Sequence, residues 1–199
     1  MSPARPHRPV LRDPGVLEAM GEGSDPVAQL HAAHETAAVL LRTGRAADNA
    51  QMTERLVALV DRLGLEVLAD LWASRPARTL PGALWRLYVL REWVVADPAL
   101  TAREYAAGAA ITEPDHAVAG ADPVGPDEVR SVVDAIMRGA FTGDFAVALE
   151  RAAAFCRVVA AGRTEITVDA PGLDQAWRLR ELATDLTACA RLWRDGRLH

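Results

Sequence analysis

Leu80-Pro81-Gly82-Ala83-Leu84-Trp85-Arg86-Leu87-Tyr88-Val89-Leu90-Arg91-Glu92-Trp93-Val94-Val95-Ala96 is the stretch that decides the fold. It is apolar on nearly every side, and at about 100° per residue Arg86, Arg91 and Glu92 point in three different directions. A helix without a single polar face has to be surrounded by protein. It is too short and too charged to span a bilayer, which takes about 20 mostly apolar residues. The stretch predicts a buried central helix over 80–96 inside an all-α domain.

Outward from it, the chain punctuates itself as helices. Asp25-Pro26 opens the first, with Val27, Leu30, Ala37, Ala38 and Leu41 as its apolar stripe and Gly44 as its stop. Asp48-Asn49-Ala50-Gln51 resembles a capping box for a second helix through Leu63, with Met52, Leu56, Leu59, Val60 and Leu63 on one face. A short third helix carries Leu68, Leu71 and Trp72 and ends before Pro76. Thr101-Ala102-Arg103-Glu104 reads as a capping box opening a helix to Gly108. Beyond the irregular stretch 109–125, Pro126 opens a helix to Gly139, and a helix from Gly143-Asp144 closes at Gly162. Thr164-Glu165-Ile166-Thr167-Val168 alternates like a strand without a partner and reads as an extended connector. The last helix, from about Gly172 to Arg194, is expected to turn Leu173, Trp177, Ala183, Leu186, Ala190 and Trp193 inward. The sum is a compact bundle of about eight helices. Residues 1–24, rich in Pro and Arg, read as a disordered tail. Residues 25–199 read as one domain, with lobes at 25–108 and 126–196.

Composition narrows the function classes. The chain has 199 residues, 50% of them apolar, and a net charge of −5, enough length for a core without disulfides or metals. All 22 basic residues are arginine and are outnumbered by 27 carboxylates, which argues against a nucleic-acid surface. The segment from Thr101 to Gly120 has helix-turn-helix length, but its second half carries Glu113 and Asp115 where a groove-reading helix needs cations. Cys156 and Cys189 lack metal or redox spacing and read as reduced core thiols. No targeting segment or membrane span is seen, so the expected setting is the cytoplasm.

Two constellations carry chemistry. His31 neighbours both His34 and Glu35 on the first helix, and imidazole and carboxylate are zinc and iron ligands. Glu113 and His116 in the irregular stretch are the natural suppliers of further ligands; the competing account makes His34 a hydrogen-bonded core histidine. Trp85 and Tyr88 beside Arg86 either line a small-molecule pocket between helices or pack in the core. Gly-x-Ser-x-Gly is absent, and a phosphate loop needing lysine is impossible.

The segments Leu80–Tyr88, Arg103-Glu104-Tyr105-Ala106-Ala107-Gly108, His116–Gly120, Phe141-Thr142-Gly143-Asp144-Phe145 and Glu150–Arg157 resemble a helical family of high-GC bacteria over roughly residues 28–163. The resemblance implies a bacterial cytoplasmic protein and brings no activity, cofactor or catalytic residue with it. The expected function is a non-enzymatic helical interaction or regulatory protein with a protein partner or a second copy. The alternative is a bundle binding a metal or small molecule through His31, His34, Glu35 and, from the irregular stretch, Glu113 and His116.

Overall fold

The computed structural model describes residues 25–46, 50–119 and 125–199, without the side chains of 114 and 116. The tail 1–24, the Asp48-Asn49 cap and most of the linker 121–125 lie outside the described residues. Among those described, the chain is all-α, with ten helices: α1 (Pro26–Ala46), α2 (Ala50–Val57), α3 (Leu59–Leu63), α4 (Leu65–Trp72), α5 (Leu80–Ala96), α6 (Pro98–Ala109), α7 (Glu113–Ala119), α8 (Pro126–Thr142), α9 (Phe145–Ile166) and α10 (Ala170–Arg194). None is long and apolar enough to cross a membrane.

Starts are set by side-chain caps. Thr79 accepts from the Gly82 amide at 3.2 Å, Asp97 from Leu100 at 3.0 Å, Asp144 from Ala146 at 2.8 Å and Asp169 from Gly172 at 2.9 Å. Each cap satisfies an amide that the first turn leaves without a partner. Asp97, not Thr101, therefore starts α6: the Thr101 hydroxyl donates back to Asp97 O, and Glu104 points into the core.

No residue from Leu80 to Val95 is exposed. The polar tips of the aromatics around α5 are satisfied. The Tyr88 hydroxyl donates to Leu56 O at 2.7 Å and Trp72 Nε1 to Ala33 O at 3.2 Å, the two rings stacking 6.3 Å apart. α5 itself touches α1, α4, α6, α8, α9 and α10, while the most extensive packing belongs to α9, chiefly against α10 and α6 and also against α7, α8 and α5. Its interior is mostly alanine, from Ala146 to Ala160, and so its neighbours come close. Helices from 25–108 and 126–196 interlock in one core, with α6 lying along α9 and α8 against α1, α2 and α5.

Three expected stops lie inside helices. Gly44 in α1 leaves no room for a side chain: a Cβ there would stand 2.7 Å from Phe141 Cβ. Gly162 in α9 faces the Glu104 carbonyl even more closely, and α9 runs on to Ile166, leaving only residues 167–169 between α9 and α10. Gly139 in α8 has room for a Cβ, which would meet Ala148 Cβ at 3.8 Å, and is simply helical. The second expected helix breaks at Ala58, and the core face of α1 is Ala33, Ala37, Leu41 and Gly44, with Val27 and Leu30 exposed.

Cys156 and Cys189 are both fully buried free thiols. Burial pushes Cys156 up to about 12 and Cys189 to about 11. Only the thiolate alkylates. The folded protein at pH 8 is therefore expected to take up no iodoacetamide over a time in which the urea-unfolded chain takes up two equivalents. Rapid labelling of the native protein, read by mass, would contradict this burial.

Candidate functional site

The metal candidates do not converge. His31 and Glu35 are exposed on α1, and His34 is half-buried beside them. The His34 imidazole is held below its ordinary value by burial, then by the positive charges of His199, Arg75 and His31. A cationic neighbourhood opposes a second cation. Glu113 is exposed at the start of α7, and Asp115 is taken by Arg157 at 2.7 Å. His116 belongs to α7, but its side chain lies outside the described residues. Among the described residues, no three His, Cys, Asp or Glu side chains are placed to share an ion.

Trp85, Arg86 and Tyr88 point to different places. Tyr88 is in the core, where burial raises its phenol. Arg86 donates to Gly82 O at 3.1 Å and lies 3.9 Å from Asp185. Trp85 is half-buried against the core. None of the three lines either of the grooves described next.

A different constellation is built where α5, α6, α9 and α10 meet. Arg163 and Glu104, 3% and 1% exposed, form a bidentate pair with bonds of 2.6 and 2.8 Å. Arg163 Nη1 also donates to Gln175 Oε1 at 2.6 Å, and the Trp93 ring lies 5.2 Å from the guanidinium. Such a pair is expensive to desolvate and holds only when its hydrogen bonds are complete. It forms one end of a half-open groove of about 380 Å³ between α5 and α10. Val89, Leu90, Leu179 and Leu182 supply the apolar walls, and Arg178 stands at the rim.

Arg91 is a second buried cation. It holds Asp61 by two bonds, Asp134 at 2.8 Å and Glu92 at 2.9 Å, and so pins α3 and α8 to α5. All its partners are engaged in that tie, and it shares no cavity with Arg163.

The outer face of α10 differs from expectation. Its inward residues are Ala176, Leu179, Ala183, Leu186, Cys189 and Ala190, while Leu173 and Trp177 face outward, 43% and 55% exposed. Ala183, Leu186 and Ala190 face inward as expected, and Trp193 is half-buried against Phe145; only the first turns differ, where Ala176 and Leu179 take the inner face in place of Leu173 and Trp177. Ile166 and Val168, just before α10, are 48% and 96% exposed. Beside Trp177 runs a shallow, charged groove of about 370 Å³ lined by Arg78, Arg180, Glu181, Thr184 and Asp185. Comparison with known family models, curated proteins and solved structures finds no match to this chain.

Proposed function

We infer that this chain is a non-enzymatic helical interaction protein that docks another protein chain on the turn between α9 and α10 and the outer face of α10. The observation that carries this is Trp177, a tryptophan left 55% exposed on a long, well-capped helix, with Leu173 one turn before it. Large apolar side chains scattered singly on a surface need no explanation. Four within twelve residues, one of them tryptophan, form a concentrated apolar surface of the kind that anchors interfaces. Arg78, Arg180, Glu181 and Asp185 around it provide a polar rim.

A second copy is the simplest partner, since two-fold self-pairing is the commonest oligomer. Sedimentation velocity over a concentration series tests it. The wild type is expected to show a reversible dimer, weakened at least about 30-fold by Trp177→Ser, in line with an anchor worth about 2 kcal/mol. A wild type that stays monomeric at the highest concentrations, or a dimer indifferent to Trp177→Ser, would overturn self-docking through this face. A bacterial cytoplasmic setting fits the arginine-only basic composition and the two buried, unpaired thiols.

A further inference from the structure

We propose that the groove between α5 and α10 binds a small carboxylic acid with an apolar body, its carboxylate held by Arg178 and Gln175 and its hydrocarbon lying along Leu90, Leu179 and Leu182. The site is separate from the outer face of α10 and does not depend on the docking function.

The argument starts from what the groove can and cannot donate. Its walls are hydrocarbon, and its volume, about 380 Å³, falls within the range of small-molecule sites, about 300 to 1,000 Å³. Its polar side chains are Arg163, Gln175 and Arg178. Arginine has only donors. Gln175 Oε1 accepts from Arg163 Nη1, and the amide nitrogen keeps two N–H donors. The Glu104 carboxylate behind the groove has both oxygens turned to Arg163. The groove therefore sets the Arg178 guanidinium and the Gln175 amide, both at its exposed edge, beside a hydrocarbon wall. A ligand that brings only donors gains no bond from Arg178, which has no acceptor. A ligand with an acceptor, best an anionic one, accepts from both groups.

Arg178 is free to change partner. It pairs with Asp174 at 2.9 Å, both side chains more than half exposed, 73% and 53%. Exposed pairs of this kind contribute little and are readily exchanged. A bound carboxylate would replace Asp174 on the guanidinium in a less hydrated setting, with Trp93 and the Arg163 pair fixed behind it. The buried pair keeps the floor rigid. It is anchored from α6 and α9, while the ligand-facing side chains come from α5 and α10.

Decanoate and decanol, both below the concentration at which they self-assemble, are the probes, titrated by calorimetry into the full-length protein. Decanoate is expected to bind at one site per chain, and decanol at least about tenfold more weakly, the worth of one charge-assisted hydrogen bond. Arg178→Ala, at an exposed position, is expected to keep the melting temperature and to weaken decanoate about tenfold while leaving decanol unchanged. Leu182→Trp should fill the groove and abolish binding of both. No binding of decanoate overturns the proposal. Equal affinity for decanoate and decanol, with no effect of Arg178→Ala, overturns it in favour of a purely apolar groove. Binding that survives Leu182→Trp places the ligand elsewhere and overturns it as well.

Discussion

Gly162→Ala is expected to destabilise the protein by about 3 kcal/mol or more, a loss of about 6 to 12 °C in melting temperature for a chain of this length. The cause is the crossing of α6 and α9. A Cβ on Gly162 would stand 1.7 Å from the Glu104 carbonyl oxygen and 2.6 Å from the Gly108 amide nitrogen. A Cβ on Gly108 would stand 1.8 Å from the Val158 carbonyl oxygen. These obstacles are backbone atoms of packed helices, so no side chain can swing away to make room. The two helices must separate, and in a close-packed interior that loses contacts along both. Gly139→Ala is the matched control. It is also a glycine within a helix, but its Cβ would meet nothing closer than Ala148 Cβ at 3.8 Å. There the gain in helix propensity, about 0.5 to 1 kcal/mol, should appear as a small stabilisation. Thermal melts of the two variants give the comparison; a Gly162→Ala protein as stable as wild type would contradict the close crossing.

The second large effect is expected at the buried ion pair. Glu104→Ala removes both acceptors from Arg163 Nε and Nη2 and leaves a guanidinium, 3% exposed, with a buried charge and no counter-ion. Breaking a buried pair from one side costs about 3 to 5 kcal/mol, because the remaining charge stays desolvated. The double variant Glu104→Leu with Arg163→Met removes both charges while keeping much of the volume. It should be more stable than Glu104→Ala by at least about 2 kcal/mol, since apolar replacement of a whole buried pair is often neutral or better. Urea unfolding of the three proteins measures both differences. A Glu104→Ala variant within about 0.5 kcal/mol of wild type would match an ordinary surface substitution and contradict the burial.

The fold class was legible in the sequence because the chain states it locally. Pro-and-Asp starts and long apolar periods leave few alternatives to helix, and Leu80–Val95 carries apolar residues on all its faces, with none of its residues exposed. The reach of α9 was not legible for the converse reason. Leu149, Phe155, Val158 and Val159 mark its buried face, but much of the rest of its contact surface is Ala146, Ala152, Ala153, Ala154 and Ala160, which carry little hydrophobic signal. Their value is geometric, in letting neighbouring helices approach, and only the three-dimensional packing discloses it. The same trait hid the role of the glycines. Gly44 and Gly162 look like helix stops in one dimension and are contact points in three.

The candidate site was less legible. Thr101 and Glu104 have capping-box spacing, and the spacing gives no hint that Asp97 already caps the helix and that Glu104 turns to Arg163, 59 residues away in sequence. Trp177 is expected inward because tryptophan is large and apolar, yet Ala176 and Leu179 take the inner face at that end of the helix. The signal that could have found it is the alanine stripe itself, repeating at helical spacing through 176, 183 and 190. His31, His34 and Glu35 do lie together on α1 as their spacing requires, but Arg75 and His199 bring positive charge to that neighbourhood, and nothing local in the sequence announces them.

The central claim is that another protein chain docks around Trp177. A photo-crosslinking amino acid placed at position 177 in the intact protein, irradiated inside the cells that make it, tests this most directly. The same group at Arg130, exposed on α8 and away from α10, is the control. The account predicts a discrete adduct from position 177 and none from position 130. The adduct should disappear when Val168 and Leu173 are both changed to aspartate, and its mass distinguishes a second copy from a different partner. No adduct at 177, equal adducts at 177 and 130, or an adduct indifferent to Val168→Asp with Leu173→Asp would contradict the docking face.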